Sequence, residues 1–521
     1  MNWKTILRLK CIGIVLIMAL VMIPAGVFAH GHDKHGLSCQ DLTSLRMGRV
    51  DIVSATEVAE SGSVPAHCEV KGVIDEEINF ALSLPTDWNG KFIMGGGGGF
   101  AGTVSDSAGT GSPFATAIQR GYATSGTDTG HSASDFGMSW ALHNKKRQLN
   151  FGYEAIHVTA EVSKEIISRY YGKHIEYSYF IGCSTGGRQG MMESQRFPMD
   201  FDGVVSGAPS FHQTGLVLSS IWQMQNMFPG QGNLTTPVLP VTKLPMLGQA
   251  IYNKCDEIDG LRDGIIDDPT KCTFDPNNDL TRCQAGQDGP GCFTTAQIDV
   301  IQKIYDGPSN SRGQLFPGWP VGSEAFGFGW NLSMVGFPNF SGPYPNFSYF
   351  FANEILRYGV YSDPDYDLHE FDFERNVPDM YHVGAILNAT DPNLRPFKNH
   401  GGKIILYHGY ADPLVNPTRT VQYYEDVQQT MGKKRADDVA RLFLLPGVSH
   451  CAGGVGPDTA DWVTALENWV EDGQAPDEIT AYKYSGVNVT RSRPLCPYPK
   501  VAKYKGTGSI DDAANFTCQE P

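Results

Sequence analysis

A serine, an aspartate and a histidine recur in this chain in an order that suits acyl transfer. Residues 180–190 read FIGCSTGGRQG, and Gly182-Cys183-Ser184-Thr185-Gly186 fits G-x-S-x-G. YSYFIG (177–182) before it reads as a buried strand, and TGGRQGMMESQRF (185–197) after it as a helix. A serine on a sharp strand-to-helix turn presents its hydroxyl on a strained backbone. The small residues at 182, 186 and 187 let that turn close. Asp412 lies in LYHGYADPLVNP, just past the apolar run KIILYHG (403–409). His450 lies in LLPGVSHCAGG, just past RLFLLPG (441–447). Taken singly, each has an ordinary reading: a chance match, a turn residue before Pro413, a loop histidine. Taken together, in the order serine, acid, histidine and each after a strand, they predict a triad. Ser184 would attack an ester carbonyl, His450 would take its proton and return it to the leaving alcohol, and Asp412 would fix the imidazole.

Such chemistry needs backbone N–H groups aimed at the developing oxyanion. Thr185, directly after the serine, is one expected donor. IMGGGGGFAG (93–102) is the expected source of the other, because glycine lets backbone approach a substrate closely.

The elements around these residues alternate between strand and helix. INFALSLP (78–85), KFIMGG (91–96), YATSGT (122–127) and DGVVSGAPS (202–210) read as buried strands running into loops. Helices are expected over 153–171, 418–431 and 459–471. Between about 210 and 400 the chain turns rich in Pro, Gly, Asn and aromatics, which reads as an insertion in one mainly parallel sheet. The expected organisation is a leader at 1–29, a catalytic core at 30–209 and 401–521, and an inserted domain at 210–400.

Composition narrows the class. The chain has 521 residues and a net charge of −16. An acidic protein is a poor partner for nucleic acid or an anionic membrane. Lys4, Arg8 and Lys10 precede IGIVLIMALVMIPAGVFA, which ends at Ala29. That is the pattern of a cleaved secretory signal, with an uncleaved anchor as the other reading. A secreted or periplasmic protein without a lasting membrane anchor is expected. His30, His32 and His35 follow in a polar leader.

Eleven cysteines are present, and setting aside Cys11 leaves ten. An even number in an exported chain suggests disulfides. Spacing suggests the local pairs Cys39–Cys68, Cys255–Cys272, Cys283–Cys292 and Cys496–Cys518. Cys183 and Cys451 remain, each beside a member of the expected triad. If Ser184 meets His450, these neighbours are close enough to bond.

CDEIDGLRDGIIDD (255–268) gathers Asp256, Asp259, Asp263 and Asp267 around Gly260 and Gly264. Hard carboxylate oxygens on a tight loop suit Ca²⁺, although the spacing is not that of an EF-hand. Its role would be structural, and no organic cofactor is expected. Aromatic residues crowd 316–361, among them Phe316, Trp319, Phe337, Phe347 and Phe351. Many would be core and some would line an acyl pocket.

The Cys-Ser, Asp, His-Cys arrangement resembles the tannase and feruloyl esterase family. The resemblance rests on GCSTGG, HGYADPLV, GVSHCAGG and the ten cysteines, and spans most of the chain after the leader. It implies an α/β-hydrolase core, stapled by the five disulfides named above, with a large lid domain inserted after the nucleophile. It implies hydrolysis of small aromatic carboxylic esters, with galloyl or hydroxycinnamoyl esters leading and terephthalate monoesters as runner-up. Gly98 or Gly99 would be the second oxyanion donor. One calcium ion in the lid would be held by the side chains of Asp256, Asp259 and Asp263 and the carbonyls of Leu261 and Ile265. Arg357 and Tyr361, in ILRYGVY, match a segment that touches substrate in a member acting on terephthalate esters, and an arginine there could bind a carboxylate. An esterase-like binding protein without catalysis, and acyl transfer to another alcohol, are the readings from other classes.

Overall fold

Nine strands build the sheet that carries the expected triad. They are β1 (Val50–Val58), β2 (His67–Ile74), β3 (Ile78–Pro85), β4 (Lys91–Gly95), β5 (Ala123–Thr127), β6 (Tyr177–Cys183), β7 (Gly203–Gly207), β8 (Lys403–Gly409) and β9 (Ala440–Leu445). Their spatial order is β1-β2-β3-β5-β4-β6-β7-β8-β9. From β1 to β5 neighbours run antiparallel, and from β5 through β4 to β9 they run parallel. The computed structural model describes residues 36–104, 116–132, 137–230, 232–336 and 344–521. The expected leader, the three histidines at 30–35 and Phe337 lie outside them.

The parallel strands form because both of their faces are apolar. Phe92, Phe180, Val204 and Leu406 pack into one core, while their chain neighbours Ile93, Tyr179, Val205 and Ile405 pack into another. That alternation is the two-residue period of a strand covered on both sides. Each fully buried large side chain contributes about 1.5–3 kcal/mol relative to exposure. Helices α1 (Ala155–Tyr171), α2 (Thr185–Arg196), α3 (Gln213–Met227), α4 (Pro417–Met431) and α5 (Trp462–Asp472) stand among the connections. Helix α4 starts where expected, with Pro417 in its first turn and the Asn416 side chain accepting from Thr418 N–H.

A third core lies apart from these two. Ile221, Met224, Leu247, Ile301, Trp330 and Leu356 belong to it, and most of its residues come from 217–387. Phe100, Trp140 and Phe151 join it from the first half of the chain. Five disulfides are formed: Cys39–Cys68, Cys183–Cys451, Cys255–Cys272, Cys283–Cys292 and Cys496–Cys518.

Candidate active site

Ser184 sits between β6 and α2 with φ 63° and ψ −121°. A non-glycine residue in that region costs about 1–3 kcal/mol and persists only when its surroundings enforce it. Three contacts do so. Ser184 N–H donates to Gly207 O at 2.9 Å, and Arg188 N–H donates to Ser184 O at 3.0 Å. A Cβ on Gly182 would stand 2.5 Å from the Gly186 carbonyl carbon, so only glycine fits that approach. The Cys183–Cys451 bridge, with Cα atoms 5.9 Å apart, then ties this turn to the residue after His450. It joins positions 268 residues apart. Chain entropy gives such a link at most roughly 5 kcal/mol.

Asp412 and His450 leave the ends of β8 and β9, which are paired in register through Gly409 and Leu445. The loops beyond stay joined, because Ala411 N–H donates to Val448 O at 3.0 Å. His450 Nδ1 lies 2.7 Å from Asp412 Oδ2. The other carboxylate oxygen, Oδ1, accepts from Leu414 N–H at 2.8 Å and Val415 N–H at 2.9 Å. The Asp412 side chain is fully buried. Burial alone would raise its pKa, but the imidazoles of His450 and His408 outweigh that and hold it far below the usual carboxylate range. With Nδ1 committed to Asp412, Nε2 is the His450 nitrogen left for other partners.

Ser184 and His450 open into one cavity of about 420 Å³, together with Thr185, Gly98 and Gly99. The glycine loop is fixed over the serine turn. Thr185 Oγ1 donates to Gly99 O at 2.6 Å, and Gly97 N–H donates to Gln189 Oε1 at 2.9 Å. Gly96 N–H is also taken, by Ile181 O at 2.9 Å. Of the central glycines, Gly98 and Gly99 are therefore the pair that line the cavity without their N–H groups being spent in these bonds. Gly99 has φ +53°, which suits glycine.

The cavity wall is aromatic. Phe100, Trp140, Phe151, Phe347, Phe350 and Phe351 line it. His131 stacks on Trp140 with ring centroids 3.7 Å apart. Arg188, buried in α2, donates to Gly152 O and Phe151 O and covers the Phe151 ring, so the helix that follows Ser184 holds part of the wall. The polar atoms present come from uncharged groups such as Gln213, Ser220 and Ser348, and no Lys, Arg, Asp or Glu is among the described lining residues.

Arg357 and Tyr361 are not among the described lining residues. Arg357 Nε donates to Tyr366 O at 2.9 Å, and Tyr361 donates its hydroxyl to Asp379 at 2.9 Å while stacking on Tyr366. Residues Ile355–Val360 form a π-helical turn, and both side chains meet Tyr366.

Among the residues at the site that carried no sequence expectation are His408, Ser210, His131, Trp140 and Phe151. Ser210 lines the cavity while 6% exposed, and its Oγ has no hydrogen-bond partner. His408 had a readable signal. It occupies a buried strand position on the face of Ile404 and Leu406, where alternation calls for an apolar side chain.

The acidic loop offers oxygen donors that fit a hard cation. Burial and the neighbouring Asp263 charge both raise the Asp256 and Asp259 carboxyls, a repulsion that a cation would relieve. No described hydrogen bond ends on the carbonyl oxygens of Leu261 or Ile265. Asp263 already faces Arg493 at 2.7 Å, so part of its charge is met. Asp267 is not paired this way, and burial next to Asp259 lifts it to about 7. Among the described residues, the one trio whose ligand atoms gather within 4.8 Å is elsewhere: His157, Glu193 and Asp200. That trio is internally balanced. His157 bonds Asp200 at 2.6 Å, Lys164 donates to the Asp200 carbonyl, and burial beside Asp200 pushes Glu193 well up, towards its neutral acid.

Comparison with known proteins settles the class. The family model for tannase and feruloyl esterase matches residues 62–519. The chain belongs to the tannase and feruloyl esterase family. It is thus a carboxylic ester hydrolase with an α/β-hydrolase core. The chain is 34% identical to the mono(2-hydroxyethyl) terephthalate hydrolase of Piscinibacter sakaiensis, over 90% of this chain and 87% of that one. It is 33% identical to a probable feruloyl esterase of Arthroderma benhamiae, over 84% and 81% respectively. The crystal structure of feruloyl esterase B from Aspergillus oryzae superposes with a TM-score of 0.79 at 28% identity, covering 92% of this esterase and all of that chain.

Proposed function

We propose that this esterase hydrolyses uncharged aromatic carboxylic esters, galloyl or hydroxycinnamoyl, through an acyl-enzyme on Ser184. The observation that carries the reading is the strained Ser184 opening into one cavity with a His450 whose Nδ1 is held 2.7 Å from buried Asp412. His450 Nε2 takes the Ser184 proton as Oγ bonds to the ester carbon. The carbonyl oxygen becomes an oxyanion, which Thr185 N–H and the N–H of Gly98 or Gly99 receive. The carbon–oxygen bond to the alcohol breaks, and His450 returns the proton to the departing alkoxide. Water, deprotonated by the same nitrogen, then releases the acid and restores Ser184.

The wall selects the acyl group. Phe100, Trp140, Phe151 and Phe351 pack on one another and line the cavity, an aromatic surface against which a flat ring can stack, where stacking adds to burial. A terephthalate monoester carries a free carboxylate, and no cationic side chain among the described residues lines the cavity to meet it. That disfavours the runner-up despite the relative that bears the name. In this reading residues 210–400 serve as the lid that supplies much of the wall. Asp256, Asp259 and Asp263, with the carbonyls of Leu261 and Ile265, hold a structural Ca²⁺ there, and the Cys255–Cys272 bridge clasps the loop. The disulfides and the leader pattern support export to the periplasm or beyond, and no described helix is long and apolar enough to cross a membrane. A hydrolysis panel tests the choice: methyl gallate, methyl ferulate, chlorogenate and a terephthalate monoester. Higher kcat/KM for the neutral esters is expected, and preference for the monoester would contradict it.

A further inference from the structure

The imidazole of His408 is buried within 3.1 Å of the Asp412 carboxylate, on the same oxygen that His450 uses. Its Nε2 faces two acceptors, Asp412 Oδ2 at 3.1 Å and Val415 O at 3.0 Å. Two acceptors require a hydrogen on that nitrogen. Its Nδ1 faces Thr420 Oγ1 at 2.9 Å, and a hydroxyl can donate there. One neutral tautomer satisfies all three contacts: Nε2–H donating towards Asp412 and Val415, Nδ1 accepting from Thr420. Both His408 and Thr420 are fully buried, so no water competes for these bonds. Asp412 then receives four donors, two backbone N–H groups on Oδ1 and two imidazole N–H groups on Oδ2. The groups that bear electrostatically on Asp412 are His450 and His408. On α4, Arg419 is turned to His212 and Asp426.

We infer that His408 is a positioning residue for the esterase reaction, with Thr420 setting its tautomer so that a second N–H holds Asp412 in line with His450. The inference rests on the triad reading above. Its physical content is twofold. Deleting the second donor lets the carboxylate rotate away from His450 Nδ1. It also leaves more negative charge on Oδ2, which favours the His450 imidazolium and moves the acid limb of activity to higher pH.

The test compares His408→Ala, His408→Gln, Thr420→Val and Thr420→Ser in the full chain. Each is assayed for kcat/KM against pH and for the rate of fluorophosphonate labelling at Ser184. His408→Ala should lower kcat about 10- to 100-fold with little change in KM, the scale of a small misplacement at the reacting centre. Its acid limb should move up. His408→Gln, whose amide N–H can replace the Nε2 donor, should recover much of the rate and bring the limb back. Thr420→Val should resemble His408→Ala in milder form, and Thr420→Ser should restore what valine removes. Melting temperature identifies any variant that fails to fold, and the Thr420 pair then decides. Labelling of His408→Ala at the wild-type rate, with an unmoved acid limb, overturns the inference. Equal losses in the alanine and glutamine variants that track only the melting temperature also overturn it, because they describe packing alone. Absence of labelling at Ser184 in the wild type would instead overturn the triad reading.

Discussion

The edge of the sheet and the aromatic segment beyond it solve different problems. At the ends of β6, β8 and β9 geometry comes from backbone: paired strands, glycines in van der Waals contact and a disulfide place Ser184, Asp412 and His450. Over 217–387 geometry comes from side chains packed into a separate core, and the cavity wall is one product of that packing. Backbone register tolerates sequence change so long as strands stay apolar, whereas a wall of rings changes with each substitution. In the proposed reading the machinery and the specificity of this enzyme rest largely on different residues, joined where Arg188 of α2 holds Phe151, and should fail largely separately.

That separation can be broken from either side. Ser184→Ala should reduce turnover at least about 10⁴-fold while leaving the fold and the aromatic core intact, as read by kcat and circular dichroism. Next in size is the bridge. Removing it with Cys183→Ala and Cys451→Ala should cost roughly 100-fold in kcat, because the strained turn loses its tie to the histidine loop. Reductant should likewise inactivate before global unfolding, and unchanged activity after verified reduction of that bond would refute the role. Phe351→Ala should raise KM for an aromatic ester about tenfold and leave a small acetyl ester nearly unaffected, which locates specificity in the wall.

Chelation should act on the other region alone. If the acidic loop holds the proposed structural Ca²⁺, its removal should lower the melting temperature by a few degrees, while protein that remains folded keeps most of its kcat. The smallest expected effect reports on the seam. His212 precedes α3, packs edge-on to Phe316 and accepts a hydrogen bond from Arg419. Burial and then the Arg419 charge lower its pKa to about 4. A base whose folded pKa is depressed takes up its proton more readily when unfolded. Its contribution to stability is therefore complete above the ordinary histidine range and fades as pH falls from about 6.5 towards 4. His212→Asn should flatten that part of the melting-temperature profile.

What the sequence disclosed follows the same division. The strands at 78–85, 91–96, 177–182, 403–409 and 441–447 are local apolar runs, and Ser184, Asp412 and His450 stand where such runs end. The Cys183 and Cys451 neighbours were legible for the same reason. Strands β1 and β2 were not foreseen, because VDIVSATEV and HCEVKGVI mix charge with apolar residues at the sheet's antiparallel end. The placement of Arg357 and Tyr361 follows from their contacts with Tyr366 and Asp379, which the local pattern ILRYGVY does not encode. Trp140, Phe151 and His131 reach the cavity from sequence distances that no local pattern encodes. His408 was visible as an ionisable group in a buried strand, yet its meaning appears only once Thr420 and Val415 are folded around it.

Peptide mapping after reaction with a fluorophosphonate probes the central claim most directly, since it asks whether the strained hydroxyl is the one activated nucleophile. One adduct per chain on the peptide containing Ser184, lost in Ser184→Ala and slowed in His450→Ala, is the predicted result. An adduct on another residue, or ester turnover that survives in Ser184→Ala, would contradict the account.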